Sequence, residues 1–396
     1  MSNSDRINTR KLILNKFKGE ANNQIVWQPR IYYWYYGNGL MNKTPKGYKD
    51  ESFLQSMRED TDSVKNPDVP ERYKKKTMLE IYDNLGASPR YPQEVLGVQL
   101  FKGLRLPDPS ACDQLKTEVE LDSKNGQRKI TYKTPAGNLT KVESGYIKEY
   151  PVKNIEDIEI MEYIIQHTEV EFDQKAFELA DEVFGRKGPI QTFFIRSPYQ
   201  SLITEYMGFK KTILMLNKHK DRIQSFMNTI DNWHDDVFDL ILDSQIEILN
   251  FGENIDQHYN PPPIFEKYLL PYYERRIKEI HNHDKYCHIH VDGSFKQLIP
   301  LLKETSFDGL EALTPQPQGD VTLEELQEAL GDKILLDGIP ATFFTKSYSY
   351  QKLESFTKRL IDYFAPRLII GVSDEVPPNA NIEKVRYISK ILEDYP

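Results

Sequence analysis

Short apolar runs alternate with helix-like segments along this chain, and the alternation limits the folds open to it more than any other feature. Each run ends abruptly in polar or turn-forming residues, as buried strands do. The seven runs are Ile25–Trp27, Phe193–Ile195, Ile246–Phe251, Cys287–Val291, Gly309–Leu313, Ile334–Leu336 and Leu368–Ile370. Helix-like segments such as 262–281 and 350–364 separate the later runs, which predicts parallel strands joined by helical crossovers.

The spacing of these runs favours a closed barrel over an open sheet. An eighth strand is expected within Glu94–Phe101. Eight strand and helix units would then form an α/β fold of the (β/α)8 TIM barrel class. We predict that the barrel domain covers residues 24–396 and follows an N-terminal extension at residues 1–23.

Residues 115–148 interrupt the alternation. Two strand-like stretches, Thr117–Asp122 and Arg128–Thr134, flank an Asn-Gly pair, which is the strongest short-range signal of a β-hairpin. The sequence therefore predicts an antiparallel hairpin insertion, and we expect it near the mouth of the barrel.

Composition excludes several classes of function. The chain has 51 Lys and Arg against 60 Asp and Glu, a net charge of −9, which argues against binding nucleic acid or an anionic membrane. No apolar run approaches the ~20 residues of a membrane helix, and the first thirty residues do not resemble a signal peptide. Two cysteines cannot form a disulfide framework. We expect a cytoplasmic protein that acts on a small molecule.

Polar residues close the predicted strands, where a barrel of this class carries its active site. Any single one could simply begin a loop, but their shared position favours a functional site. The residues at or just beyond strand ends are Arg30, Arg196, Glu253, Asp256, His290, Asp292, Asp337 and Asp374. No Gly-rich phosphate loop and no nucleophile elbow is present, which argues against nucleotide-dependent transfer and serine hydrolysis.

The segment 286–293 holds the most informative of these residues. Side chains alternate along a strand, so His288, His290 and Asp292 share one face. His290 and Asp292, ~6.6 Å apart along a strand, could reach one metal ion or one substrate, with Asp374 or Glu253 as a third ligand. A hydrogen-bonded His and Asp pair acting as acid and base without a metal explains the pattern equally well.

The other histidines and Cys287 have simpler interpretations. His288 is expected in the barrel interior with a hydrogen-bond partner, and His281 and His283 are expected in solvent. Cys287 points to the helix-facing side, where core packing explains it.

An aromatic cluster at 31–36 follows Arg30 directly. Packing explains such a cluster, but Trp34 and its neighbours would also suit a large, flat, anionic ligand whose carboxylate pairs with Arg30.

The residues 290–293 and 371–378, His-Val-Asp-Gly and Gly-Val-Ser-Asp-Glu-Val-Pro-Pro, resemble two strand ends of the uroporphyrinogen decarboxylase superfamily. The resemblance extends from about residue 24 onward. Asp292 and either Ser373 or Asp374 replace the cysteines that hold zinc in the thiol-activating members. We therefore expect weak zinc binding or none, and an oxygen-rich metal site is left open as an alternative. The segment 27–30 has one arginine where the decarboxylases have an arginine pair.

This resemblance implies a corrinoid-dependent methyltransferase, with a corrinoid (cobalamin) as the methyl carrier and a separate corrinoid protein as a partner. His290, Asp292 and Asp374 would be its catalytic residues and the candidate ligands of a divalent metal. The substrate-binding residues would be Arg30, Trp34, Arg196, Glu253, Asp256 and Asp337. The alternative is a decarboxylase of a carboxylated tetrapyrrole, in which Arg30 and Arg196 pair with substrate carboxylates. A third interpretation is a protein that binds a tetrapyrrole without catalytic activity.

Overall fold

The strands of the protein, taken from a computed structural model, fall into one parallel and two antiparallel sheets. The structure describes residues 8–20, 23–40, 69–122, 126–144, 146–393 and 395. In chain order the strands are β1 (Val26–Trp27), β2 (Phe101–Lys102), β3 (Lys116–Asp122), β4 (Gln127–Thr134), β5 (Gly137–Glu143), β6 (Ile147–Glu149), β7 (Glu171–Phe172), β8 (Gln191–Phe194), β9 (Ile248–Phe251), β10 (Tyr286–His290), β11 (Gly309–Glu311), β12 (Ile334–Pro340) and β13 (Leu368–Ser373).

The α-helices of the described residues alternate with the later strands, as the sequence predicts. They are α1 (Thr9–Phe17), α2 (Tyr32–Gly37), α3 (Met78–Leu85), α4 (Pro92–Leu96), α5 (Asp157–Gln166), α6 (Gln174–Phe184), α7 (Pro198–Ser201), α8 (Phe209–Lys218), α9 (Lys220–Leu242), α10 (Pro262–Ile264), α11 (Leu270–His281), α12 (Ile299–Glu304), α13 (Leu323–Leu330), α14 (Tyr350–Phe364) and α15 (Ile382–Glu393). None of them is long and apolar enough to cross a membrane.

The chain divides into two units. The first contains the segments up to residue 98, 175–193 and 246–396, and the second contains 99–174 and 194–245. The boundary predicted at residue 24 stays a prediction.

The first unit contains a seven-stranded sheet in the order β1-β13-β12-β11-β10-β9-β8. β1 pairs in parallel with β13, and β9 to β13 pair in parallel in chain order. All residues of β9, β12 and β13 are buried, as in a sheet covered on both faces. The seven predicted strands are confirmed, and the unit is a mixed α/β structure consistent with a TIM-like fold.

The prediction of an eighth strand at Glu94–Phe101 is wrong. Its first three residues belong to helix α4, which begins with Pro92 in its first turn and is capped by Gly97 in a left-handed conformation (φ 69°). Proline at a helix start and glycine at its end are strong helix boundaries, and they outweigh the apolar character of the segment. The stretch ends in β2, which pairs antiparallel with β7.

The predicted insertion lies in the second unit and is larger than one hairpin. Strands β3, β4, β5 and β6 form an antiparallel sheet in that order. Residues 123–125 of the predicted turn lie outside the described residues. The expected position of this insertion near the barrel mouth stays a prediction.

Helix α1 covers the amino-terminal end of the parallel sheet. Ile13 and Phe17 pack in one buried cluster with side chains from four strands of the sheet. These are Val26, Ile248, Ile334, Leu336 and Ile369. This apolar layer closes the end of the sheet opposite the polar strand ends.

We expect Ile13→Ala to lower the free energy of unfolding by about 2–4 kcal/mol, because a buried isoleucine truncated to alanine loses apolar burial and leaves a cavity. Lys11→Ala, on the exposed side of the same helix, is the matched control and should change stability by less than about 0.5 kcal/mol. Urea unfolding of both variants measures this. Equal stabilities would contradict the packing of α1 on the sheet.

Candidate active site

A fully buried arginine lies at the centre of the first unit. Arg90 donates hydrogen bonds to Glu311 (2.6 Å) and to both carboxylate oxygens of Asp337 (2.8 and 3.0 Å). Its remaining donors bind the side-chain and backbone oxygens of Gln28. Arg90, Glu311 and Asp337 have no exposed side-chain surface. Such a group is stable only when every charge is paired, because unpaired charge is costly in the interior.

Glu311, the last residue of β11, joins this ionic centre to the strand ends. Tyr91 Oη donates to it at 2.6 Å, Asn250 donates through its side-chain amide, and His290 Nδ1 lies 2.9 Å from its Oε2. Burial opposes ionisation of Glu311, but the bond from His290 and the charge of Arg90 hold its pKa well below the usual range. Glu311 is therefore a carboxylate that accepts hydrogen bonds from several strands.

Glu311 fixes the orientation of His290, the last residue of β10. A carboxylate can only accept, so the hydrogen lies on Nδ1, and Nε2 faces Asp374 at 3.6 Å. Burial disfavours the imidazolium, yet the carboxylates of Asp374 and Glu311 raise the pKa of His290 to about 8. The ring thus presents an oriented nitrogen whose proton is exchangeable near neutral pH.

Arg30 lies among three carboxylates of the protein itself. It forms ion pairs with Glu94, with Asp374 (2.6 Å) and with Glu375 (2.6 Å). Burial works against its charge, but these carboxylates raise its pKa well above the ordinary value. Its guanidinium also lies 5.4 Å from the ring centres of Tyr91 and Phe193. Arg30 is therefore fully engaged by the protein.

The predicted metal-binding set is brought together. One ligand atom each from His290, Asp292 and Asp374 lies within 4.8 Å of the others. One imidazole and two carboxylates suit several divalent ions, zinc included. Desolvation and the charge of Asp374 raise the pKa of Asp292. The bond from Arg30 to Asp374 competes with a metal, so this site fits a weakly held ion.

The other predicted residues are held by the protein in different ways. Asp337 is buried against Arg90, and Glu253 is fully buried. Asp256 accepts hydrogen bonds from the backbone amides of His258 and Ser294, which links the loops that follow β9 and β10.

Trp34 and Arg196 also have partners within the protein. Trp34 is fully buried with its ring against Tyr73, which agrees with the packing interpretation of the aromatic cluster. Arg196 belongs to the second unit, where it pairs with Glu205 at 2.6 Å. The substrate-binding roles of the six residues assigned from the sequence stay predictions.

His288 is buried as predicted but lacks the predicted hydrogen-bond partner. Neither of its ring nitrogens has one among the described residues, and Glu311 lies 3.9 Å from Nδ1. Burial lowers the pKa of His288 to about 4, so the ring is neutral at physiological pH. His281 and His283 are exposed, as expected.

Several residues of the site escaped the sequence analysis. They are Arg90, Tyr91, Glu94, Asn250, Glu311 and Glu375. Glu311 interrupts an apolar run and Asn250 interrupts another, and a polar side chain inside a buried strand is a usable signal. Arg90 and Tyr91 lie in a segment with no strand pattern of its own, and Glu94 lies in the stretch that was predicted as a strand.

Comparison with known proteins identifies the family of this chain. The family model of uroporphyrinogen decarboxylase (URO-D) matches residues 139–395, about two thirds of the chain. The chain therefore belongs to the URO-D family. His290, Asp292, Glu311 and Asp374 lie within the matched region, whereas Arg30 and Arg90 precede it. No curated protein matches the sequence significantly.

Two solved structures align with most of this chain. A methyltransferase from Methanosarcina mazei has a TM-score of 0.57 and 12% identity, over 98% of this chain and 99% of that chain. A B12-independent methionine synthase from Shewanella sp. W3-18-1, in complex with selenomethionine, has a TM-score of 0.41 and 10% identity, over 93% of this chain and 94% of that chain. At this identity the first likeness is one of fold.

Replacing the buried Arg90 should strongly destabilise the fold. We expect Arg90→Met to lower the free energy of unfolding by about 3–5 kcal/mol, because two buried carboxylates lose their cation. Arg72→Met removes a half-exposed ion pair with Glu383 and should cost less than about 1 kcal/mol. Denaturant unfolding of both variants measures the two losses of stability. A loss in Arg90→Met as small as that in Arg72→Met would contradict the prediction.

The pKa of His290 predicts a pH-dependent contribution to stability. Its folded value of about 8 exceeds the unfolded 6.5, so the contribution is complete below pH 6.5 and disappears as pH rises through 8. The stability lost in His290→Gln should be about 2 kcal/mol greater at pH 6 than at pH 9. Unfolding in the presence of chelator measures it. A loss that is equal at both pH values, or larger at pH 9, would contradict the charge assignment.

Proposed function

We propose that this protein is a corrinoid-dependent methyltransferase that moves a methyl group between a corrinoid and a heteroatom of a small molecule. The observation that carries the proposal is the convergence of His290, Asp292 and Asp374 at the ends of parallel strands, with His290 oriented by Glu311. Membership of the URO-D family and the shared fold of a methyltransferase support it.

The chemistry of methyl transfer at a heteroatom explains why such a histidine is needed. A heteroatom that gives up a methyl group leaves with a lone pair that must be protonated, and an acceptor must lose a proton before it attacks. The Nε2 atom of His290 can give or take that proton, because its pKa of about 8 lies near working pH. Glu311 stabilises the imidazolium and holds the ring in one tautomer.

Asp292 and Asp374 complete the site on the open side of His290. Their carboxylates can hold a neutral or cationic substrate group, or a divalent ion together with His290. Such an ion, when bound, would polarise the heteroatom as a Lewis acid. The corrinoid is a co-substrate in this proposal, delivered by a separate corrinoid protein.

The charge of the site disfavours the alternative function, tetrapyrrole decarboxylation. That reaction needs free arginines to pair with several substrate carboxylates. Arg30 is already paired with three protein carboxylates, and Arg196 is paired with Glu205. A polyanionic substrate would also meet Asp292 and Asp374.

We further infer that the seven-stranded sheet closes as a TIM barrel, with residues 88–91 in the place of the eighth strand. Ser88 N donates to the backbone oxygen of Trp27 in β1 (2.9 Å), and Ser88 Oγ donates to Lys187 O (2.6 Å), just before β8. A Cβ added to Gly188 would lie 2.9 Å from Pro89 O. This segment thus contacts both outer edges of the sheet.

The proposed activity predicts methylation of cob(I)alamin, with free cobalamin in place of the corrinoid protein. Purified protein is mixed with cob(I)alamin and a panel of methyl ethers, methylamines, methyl thioethers and methanol, and the visible spectrum reports methylcobalamin. His290→Gln should slow the reaction at least about 100-fold, the usual contribution of acid–base catalysis. Asp292→Asn should also slow it, because the site loses a carboxylate that holds the substrate group or the ion. His283→Gln, an exposed histidine away from the site, should keep the wild-type rate.

Three results would count against the proposal. They are no methylation from any donor, a full rate in His290→Gln, and carbon dioxide release from a carboxylated porphyrinogen, which would support the decarboxylase. Circular dichroism of each variant separates loss of activity from loss of fold.

A further inference from the structure

A second cluster of potential metal ligands lies at the other end of strand β10. One ligand atom each from His281, Cys287 and Asp308 falls within 4.8 Å of the others. His281 ends helix α11, Cys287 is the second residue of β10, and Asp308 immediately precedes β11. His290 and Glu311 lie at the opposite ends of the same two strands, so the cluster is distinct from the candidate active site.

The register of the sheet brings Cys287 and Asp308 together. His288 pairs with Gly309, so the preceding residues of the two strands are neighbours, and Asp308 N donates to Cys287 O at 2.9 Å. Because side chains alternate, both point away from His288 and His290. This places a thiol and a carboxylate side by side on the helix-facing side, where α11 ends.

We propose that His281, Cys287 and Asp308 form a binding site for a divalent thiophilic cation of the zinc class. A nitrogen, a sulfur and an oxygen ligand are a set that zinc accepts, with water as a fourth ligand. Binding would replace the thiol proton: the Cys287 S–H bond breaks, a metal–sulfur bond forms, and the proton passes to solvent.

Hydrogen bonds within the cluster already hold the ligands in place. Asp308 Oδ2 accepts a hydrogen bond from Cys287 N at 2.7 Å and lies 3.1 Å from His281 Nε2. These hydrogen bonds therefore hold the ligand side chains close together, and a bound cation could replace the proton between His281 and Asp308. A site that is ordered before binding loses less entropy when the ion enters.

The surrounding charge favours a cation. The carboxylate of Asp308 lies beside the buried Cys287 thiol, and Glu274 is close enough to act on the same thiol. Glu274 is held by the backbone amide and hydroxyl of Ser306. Two acidic groups therefore place negative charge beside the thiol.

An ion can reach this site from solvent. The side chains of His281 and Asp308 are 38% and 20% exposed, whereas Cys287 is fully buried. Asp308 also lines a surface cavity of about 750 Å³ together with Ser306 and Lys333. The thiolate would thus form the inner side of the site, with the imidazole and the carboxylate nearer to the surface.

Cobalt(II) is the probe, because its visible and near-ultraviolet spectrum reports both a thiolate ligand and the coordination number. The metal-free full chain is titrated with cobalt, and zinc is then added in competition. We expect a thiolate-to-cobalt charge-transfer band with a stoichiometry of one, displaced by zinc. Cys287→Ser should abolish the band, and His281→Ala should weaken binding at least about 100-fold.

Two control variants make the result specific. Cys112→Ser removes the other cysteine, which belongs to the second unit, and Asp374→Asn disables the candidate active site; both should keep the band. Absence of the band in the wild type, its persistence in Cys287→Ser, or its loss only in Cys112→Ser would overturn the proposal. His281→Ala alters an exposed side chain, so it remains informative if Cys287→Ser fails to fold.

Discussion

The buried pairing of Arg90 with Glu311 and Asp337 is the interaction on which the rest of the first unit depends. Three ionised side chains without solvent contact are tolerated only in a fixed geometry, because a lost hydrogen bond there exposes charge to a low-dielectric interior. The Arg90 guanidinium contacts side chains from β11 and β12 and the residue that follows β1. It thereby fixes the relative positions of these strands.

The fixed position of Glu311 transmits this constraint to the strand ends. Glu311 orients His290 through Nδ1, so Nε2 is directed toward Asp374. Arg30 then holds Asp374 from the other side. The order of the candidate site therefore derives from a charged layer beneath it, and the apolar cluster around Ile13 lies below that layer. Along the strands, the apolar cluster around Ile13 is followed by the ionic group around Arg90, and then by the titratable residues around His290.

The fold was largely predictable because its signals are local. Seven apolar runs mark seven strands, and the period-two pattern correctly places His288 and His290 on one face and Cys287 on the other. Two errors arose where tertiary context decides. Glu94–Phe101 is apolar enough for a strand, but Pro92 and Gly97 delimit a helix, and His288 is buried without the partner that its polarity suggested.

The site was predictable only in part, for a related reason. His290, Asp292 and Asp374 end strands and are therefore visible from topology alone. The pairing of Arg90 with Glu311 joins residues 221 positions apart, and no local pattern marks such a pair. Arg30 is a second example. Its position at a strand end suggested that it pairs with a carboxylate of the substrate. Its three acidic partners are instead Glu94, Asp374 and Glu375, which are all distant in the sequence.

Strand β10 presents different polar side chains on its two faces. Alternation sends His288 and His290 to the face shared with Glu311, and sends Cys287 to the helix-facing side beside Asp308. The same alternation keeps the buried Cys287 thiol away from His290. Both faces depend on one register between β10 and β11, since a slip of one residue would exchange their side chains. The hydrogen bonds to Glu311 on one side and to Asp308 on the other therefore select the same alignment of the two strands.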